Sequence, residues 1–254
     1  MHVDADHNRS VFTLVGTETE LSDALVAGIE VAIARIDLTA HDGAHPRIGA
    51  ADVVPIVPLE PVDLPRARRA ADAVGRRIAA ELGLPVFLYA PPERGPAFFR
   101  RGGPAGLQRR VDEGELAPDH GPSTLHATAG AVLVGARRPL IAFNVNLRGD
   151  LETAREIATV VRERDGGFPG VRALGLELPR AGVVQVSMNV EDWEAAALHE
   201  IVARIEAEAA ARGAEVVGSE LVGLMPAGAA AAAAGAALRI DGFDASHVLE
   251  LRLL

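Results

Sequence analysis

The chain has 254 residues, a formal net charge of −10 and 49% hydrophobic residues, enough for a sizeable core. Net acidity disfavours nucleic acid or an acidic membrane as a general partner. Cysteine and lysine are both absent, all 25 basic residues being arginine, which excludes disulfides, thiolate nucleophiles, Schiff-base catalysis and a P-loop lysine.

Met1–Asp6 reads as the end of a strand, and Val11–Val15 as a strand closed by Gly16. Met1-His2-Val3-Asp4 has neither the basic start nor the apolar segment of a signal peptide, so the cytoplasm is expected. Leu21, Leu25, Ile29 and Ala32 repeat at helical spacing, giving a helix to about Ile36. A strand Asp52–Val57, a helix Leu64–Leu82 stopped by Gly83 and a strand Pro85–Tyr89 follow. Residues 91–130 are rich in Pro, Gly and Arg, with a short helix around Phe98–Arg110. So long an irregular stretch in a compact domain is usually functional.

From Ala131 the pattern becomes regular, and the subdomain boundary is placed at 135/136. Strands Ala131–Val134 and Leu140–Leu147 precede a helix Leu151–Arg164. Strands Val171–Leu178 and Val183–Asn189, a helix Glu191–Arg212 and a strand Glu215–Val217 come next. The β-α-β-β-α-β order is that of ferredoxin-like folds. Ala227–Ala237 is a low-complexity helix, too short and too poor in leucine to span a bilayer, and Val248–Leu253 a closing strand. The first half reads as β-α-β-α-β, the same arrangement with its leading strand and helix removed. The expected organisation is thus α/β, two ferredoxin-like subdomains with mixed sheets, residues 1–135 and 136–254.

Chemistry concentrates in the turn His41-Asp42-Gly43-Ala44-His45-Pro46-Arg47. Gly43 frees the backbone and Pro46 pushes His45 out of the α region, so the turn is not helical and leads into a strand. His45 titrates near neutrality and Arg47 can clamp a carboxylate beside it. His41, His45 and Asp42 also invite a metal reading, but the spacing serves a metal on a helix and no third ligand is near; no metal is expected. A second polar loop is Gly121-Pro122-Ser123-Thr124-Leu125-His126-Ala127-Thr128-Ala129-Gly130, without a phosphate-binding fingerprint. Asn144 and Asn146 on one strand and Gln185 on another need partners if buried, in a cleft or at a bulge. Arg94, Arg100, Arg101, Arg109 and Arg110 could attract an anionic substrate or simply coat a helix.

Seven collinear segments resemble the glutamate formimidoyltransferase family. They are His7–Thr13, Gly43–Ala50, Pro118–Ser123, Gly135–Arg137, Leu140–Leu147, Gln185–Asn189 and Val217–Leu224. The resemblance implies two ferredoxin-like subdomains with a folate cleft and transfer of a formimidoyl group from N-formimidoyl-L-glutamate to N5 of tetrahydrofolate. It puts the acid/base histidine on His45 and the folate loop on Gly121–Gly130, with Arg47, Arg137 and Asn144 expected on the substrates. Tetrahydrofolate is the implied co-substrate, and a homodimer is expected, with small-molecule substrates and no nucleic acid or membrane partner. The family begins with roughly 35–40 further residues, the size of one β-α unit. His120 stands where an aromatic is usual and Ala127 where a proline is usual. Two other readings are a non-catalytic folate- or amino-acid-binding protein and a metal-dependent hydrolase.

Overall fold

Asn8, in the left-handed region at φ 47, reverses the chain between strands β1 (His2–Asp4) and β2 (Arg9–Val11). The computed structural model describes residues 1–91 and 94–252. Thr17 opens α1 (Glu18–Arg35) through a capping box, donating its N–H to Glu20 Oε2 at 2.9 Å while its side chain accepts from the Glu20 N–H. Strand β3 (Val53–Ile56) leads to α2 (Leu64–Leu82), which buries Ala67, Ala71, Val74 and Ile78 on one stripe. Gly83 at φ 67 ends it, bonding back to Ala79 O. Next come β4 (Val86–Tyr89), α3 (Pro96–Phe99), α4 (Gly103–Asp112) and β5 (Val132–Ala136). They are followed by β6 (Ile141–Arg148), α5 (Leu151–Val161), β7 (Val171–Leu178) and β8 (Val183–Val190). The chain continues through α6 (Leu198–Ala211), β9 (Glu215–Val222), α7 (Ala227–Leu238) and α8 (Leu249–Arg252).

Two compact units result, Leu14–Arg138 and a second that joins Met1–Thr13 to the chain from Pro139 onward. In the unit Leu14–Arg138, β3, β5 and β4 form a parallel sheet with β5 in the middle. Alternation along the strands divides its core. Val54, Val86, Val132 and Val134 face α1 and α2, while Phe87, Tyr89 and Leu133 pack with Phe99 and Leu107 of α3 and α4.

In the other unit, β7, β8, β6 and β9 form an antiparallel sheet in that order, the ferredoxin-like arrangement. One face packs Ile141, Val145, Val186 and Met188 against Ile157, Ile201 and Ile205 of α5 and α6. The other face is polar and receives the β1–β2 hairpin, with His7 Nε2 3.1 Å from Gln185 Oε1 and the Arg180 N–H donating to Asp6 Oδ1 at 2.9 Å.

Several expectations change. The first thirteen residues associate with the later unit rather than with residues 14–135, so the first sheet has three parallel strands and no leading strand in it. The strand expected at Val11–Val15 ends at Val11, because β1 supplies only three partners before its register runs out. The helix expected at Phe98–Arg110 is two helices, broken where Gly102 and Gly103 both take positive φ. The helix expected from Leu151 to Arg164 stops at Val161, and Glu163–Asp165 form a 3₁₀ turn. Glu191–Ala197 is a separate turn before α6, with Asp192 accepting from the Ala195 and Ala196 amides. The closing strand Val248–Leu253 is instead the short helix α8, preceded by a 3₁₀ turn that Asp244 caps; Leu253 lies outside the described residues.

Candidate active site

The turn between Leu38 and β3 is held by its own polar groups. Arg47 reaches back to donate to His41 Nδ1 and, at 2.5 Å, to Gly43 O. A guanidinium can only donate, so His41 Nδ1 is the acceptor and that ring is neutral. His45 Nδ1 lies 2.8 Å from Pro46 O. A carbonyl only accepts, so Nδ1 carries the proton and the lone pair of the neutral imidazole sits on Nε2. The two histidines therefore present opposite tautomers within one turn.

The loop 121–130 is built onto this turn. The Ala131 N–H donates to Ile48 O at 3.0 Å, the Ala50 N–H to Ala129 O at 2.9 Å and the Leu38 N–H to Thr128 O at 2.8 Å. Gly49 and Gly130 pair across the junction. Within the loop, His126 N–H and O exchange bonds with Gly130, and His126 Nδ1 accepts from the Ala129 N–H at 3.0 Å. His126 is thus fixed as the Nε2–H tautomer by its backbone role. Gln108 of α4 clamps the loop from outside, its Oε1 accepting from the Leu125 N–H at 2.8 Å and its Nε2 donating to Ser123 O at 3.3 Å. Ahead of the loop, Asp119 and His120 lie along the outer edge of β4, and His120 Nε2 donates to Asp72 Oδ1 at 2.8 Å.

A buried ion pair anchors the start of β3. Asp52 accepts from the Ile48 N–H at 2.8 Å and from Arg100 Nη2 at 2.5 Å. Tyr89, at the end of β4, is 4% exposed. Burial pushes its phenol up to about 12, outweighing the lowering by the nearby Arg137 and Arg100 guanidiniums. Arg137 follows β5 and donates to Arg138 O at 3.0 Å. The arginine cluster read from the sequence does not form one patch. Arg100 turns inward to Asp52, and Arg110 is buried against Glu115, Phe98 O and the Phe98 ring.

In the second unit, Asn144 is buried on the polar face of the antiparallel sheet. Its Nδ2 donates to Glu220 Oε2 at 3.2 Å and its Oδ1 accepts from the Met188 N–H at 3.3 Å. Gln185 bonds Asn146 Oδ1 at 2.9 Å, and His2 Nε2 lies 3.1 Å from Glu220 Oε1. These amides satisfy one another through the sheet and the hairpin.

Of the residues singled out from the sequence, His45, Arg47 and the whole loop 121–130 are thus brought together in one unit, with Arg137 on the same sheet as the strand they lead into. Asn144 belongs to the separate polar layer. Asp52, Arg100, Gln108 and Tyr89 were not singled out for this site. No spacing rule marks them, because their partners are distant in sequence; the one faint signal was an acidic residue directly preceding an apolar strand.

Comparison with known proteins also divides the chain after residue 137, but counts residues 1–13 with the first part rather than the second. Residues 1–137 match the N-terminal subdomain of the formiminotransferase domain, and residues 142–241 match the formiminotransferase domain. The glutamate formimidoyltransferase of Streptococcus pyogenes is 40% identical over 99% of this chain and 86% of its own length. That of Thermoplasma acidophilum is 38% identical over 100% of this chain and 86% of its own. The formimidoyltransferase-cyclodeaminase of Sus scrofa is 39% identical over 86% of this chain, which corresponds to 42% of that protein.

Proposed function

The chain belongs to the formiminotransferase family, and on that premise we propose that it transfers the formimidoyl group of N-formimidoyl-L-glutamate to N5 of tetrahydrofolate and releases L-glutamate. The observation that carries this reading is 40% identity with a glutamate formimidoyltransferase over 99% of the chain. Tetrahydrofolate is a co-substrate, present in stoichiometric amounts.

His45 handles the proton. With Nδ1–H committed to Pro46 O, the basic Nε2 accepts the N5 proton as N5 bonds to the formimidoyl carbon. The same nitrogen then delivers that proton to the glutamate nitrogen as its bond to the carbon breaks. One proton moves from N5 to the leaving amine, and His45 returns to its starting state. Arg47 exchanges its neutral partner His41 for a glutamate carboxylate, a stronger charge-assisted bond, and so places the donor beside His45. Loop 121–130 holds the folate through its exposed hydroxyls and His126 Nε2–H, while Arg137 binds a substrate carboxylate. The family resemblance supports a homodimer. Among the described residues no helix is long and apolar enough to cross a membrane.

The test is a folate-dependent release of glutamate. Purified protein with formimidoylglutamate should liberate glutamate and form 5-formimidoyltetrahydrofolate in equal amounts only when tetrahydrofolate is present. Glutamate release that ignores folate, or none at all, removes the reading.

A further inference from the structure

Tyr89 has a buried hydroxyl that the packing of its ring does not require. The ring is fully accounted for: it packs in the core with Phe87, Phe99 and Leu133, and lies where a side chain on Gly135 would be, a Cβ there falling 2.7 Å from its Cδ1. Phenylalanine would fill the same space. The hydroxyl is sealed from solvent beside the Arg137 guanidinium, which lowers the phenol both by its charge and as a side-chain hydrogen-bond donor. A buried hydroxyl without a partner is a net cost to the fold, so Arg137 is the group this oxygen serves.

Arg137 lies two residues beyond Gly135, which pairs with Tyr89 across β4 and β5. One edge of its guanidinium is tied to Arg138 O at 3.0 Å, and Arg137 is only partly buried. We propose that Tyr89 is a positioning residue whose hydroxyl oxygen receives the inner edge of Arg137 when the outer edge takes up a carboxylate of the amino-acid substrate. A neutral acceptor suits this task, because it orients the guanidinium without cancelling the charge the carboxylate needs. The phenol is held in that neutral form at any working pH, since burial keeps it from ionising. A carboxylate in its place would pair with Arg137 and compete with the substrate.

This inference rests on the reading of Arg137 as a substrate-carboxylate ligand. Its experiment uses the full chain with Tyr89→Phe, Arg137→Ala and the double variant. Calorimetric affinity for L-glutamate, which needs no turnover, is measured beside KM and kcat for formimidoylglutamate and the thermal midpoint. Tyr89→Phe should weaken glutamate and raise KM about tenfold, with kcat changed less than about twofold and the midpoint unchanged or higher. In the Arg137→Ala background the same substitution should add nothing. Unchanged glutamate affinity in Tyr89→Phe, or an equal loss with and without Arg137, overturns the positioning role. Unchanged affinity in Arg137→Ala instead overturns the reading of Arg137, and the role of Tyr89 with it.

Discussion

Gly49 and Gly130 face each other where the histidine turn meets the loop 121–130. A Cβ on Gly49 would lie 1.9 Å from Ala131 O, and one on Gly130 would lie 2.1 Å from Ile48 O. The two backbones approach so closely that neither position has room for a side chain. This contact keeps His45 and the loop at a set spacing, which a reaction between two bound substrates requires.

The contact predicts an asymmetric response to alanine. Gly130→Ala adds both the clash and a left-handed φ of +67, and should lower stability by well over ~1 kcal/mol. Gly28→Ala, in the middle of α1 with nothing within 4 Å, should raise it by ~0.5–1 kcal/mol. Urea midpoints of both variants are the measurement. Equal effects would mean that the junction is looser than described.

If Nε2 of His45 carries the proton, His45→Ala should reduce kcat by ~10²–10⁴-fold. Equilibrium affinity for tetrahydrofolate should hardly move, because the proposed function gives the folate to the loop. An unimpaired rate would take His45 out of the mechanism.

Arg47→Lys removes a fork that bonds His41 Nδ1 and Gly43 O at once. Loss of the proposed bidentate carboxylate contact should weaken the donor by ~1.5–3 kcal/mol, and lysine cannot reproduce the geometry. A normal KM for formimidoylglutamate combined with a lowered thermal midpoint would show that Arg47 only braces the turn.

Gln108→Leu strips both bonds from the outer side of the loop. The partly buried Leu125 N–H loses its acceptor, worth ~1–3 kcal/mol, so its hydrogen exchange should quicken by about tenfold or more. Folate affinity should fall with it while kcat at saturating folate holds. Unaltered exchange at Leu125 would leave the clamp without a role.

Local periodicity determined much of this protein in advance. Helix α2 runs Leu64–Leu82 as its apolar spacing requires, because Ala67, Ala71, Val74 and Ile78 repeat on one stripe that any neighbouring sheet can bury. Strand β7 likewise keeps its expected bounds, Val171–Leu178. The turn at His45 was legible for the same kind of reason, since Gly43 and Pro46 restrict the backbone whatever surrounds them. Where the chain's own preferences were weak, distant partners decided. His7 meets Gln185 across a separation of 178 residues, and that pairing carries the first strands to the later unit. The pairing of Asp52 with Arg100 spans 48 residues, and the clamp from Gln108 to Leu125 spans 17. Such contacts depend on closing loops and on the space left after the helices and strands have packed. Sequence spacing records neither, so the histidine turn could be read from the chain, whereas the groups that hold it in place had to come from the fold.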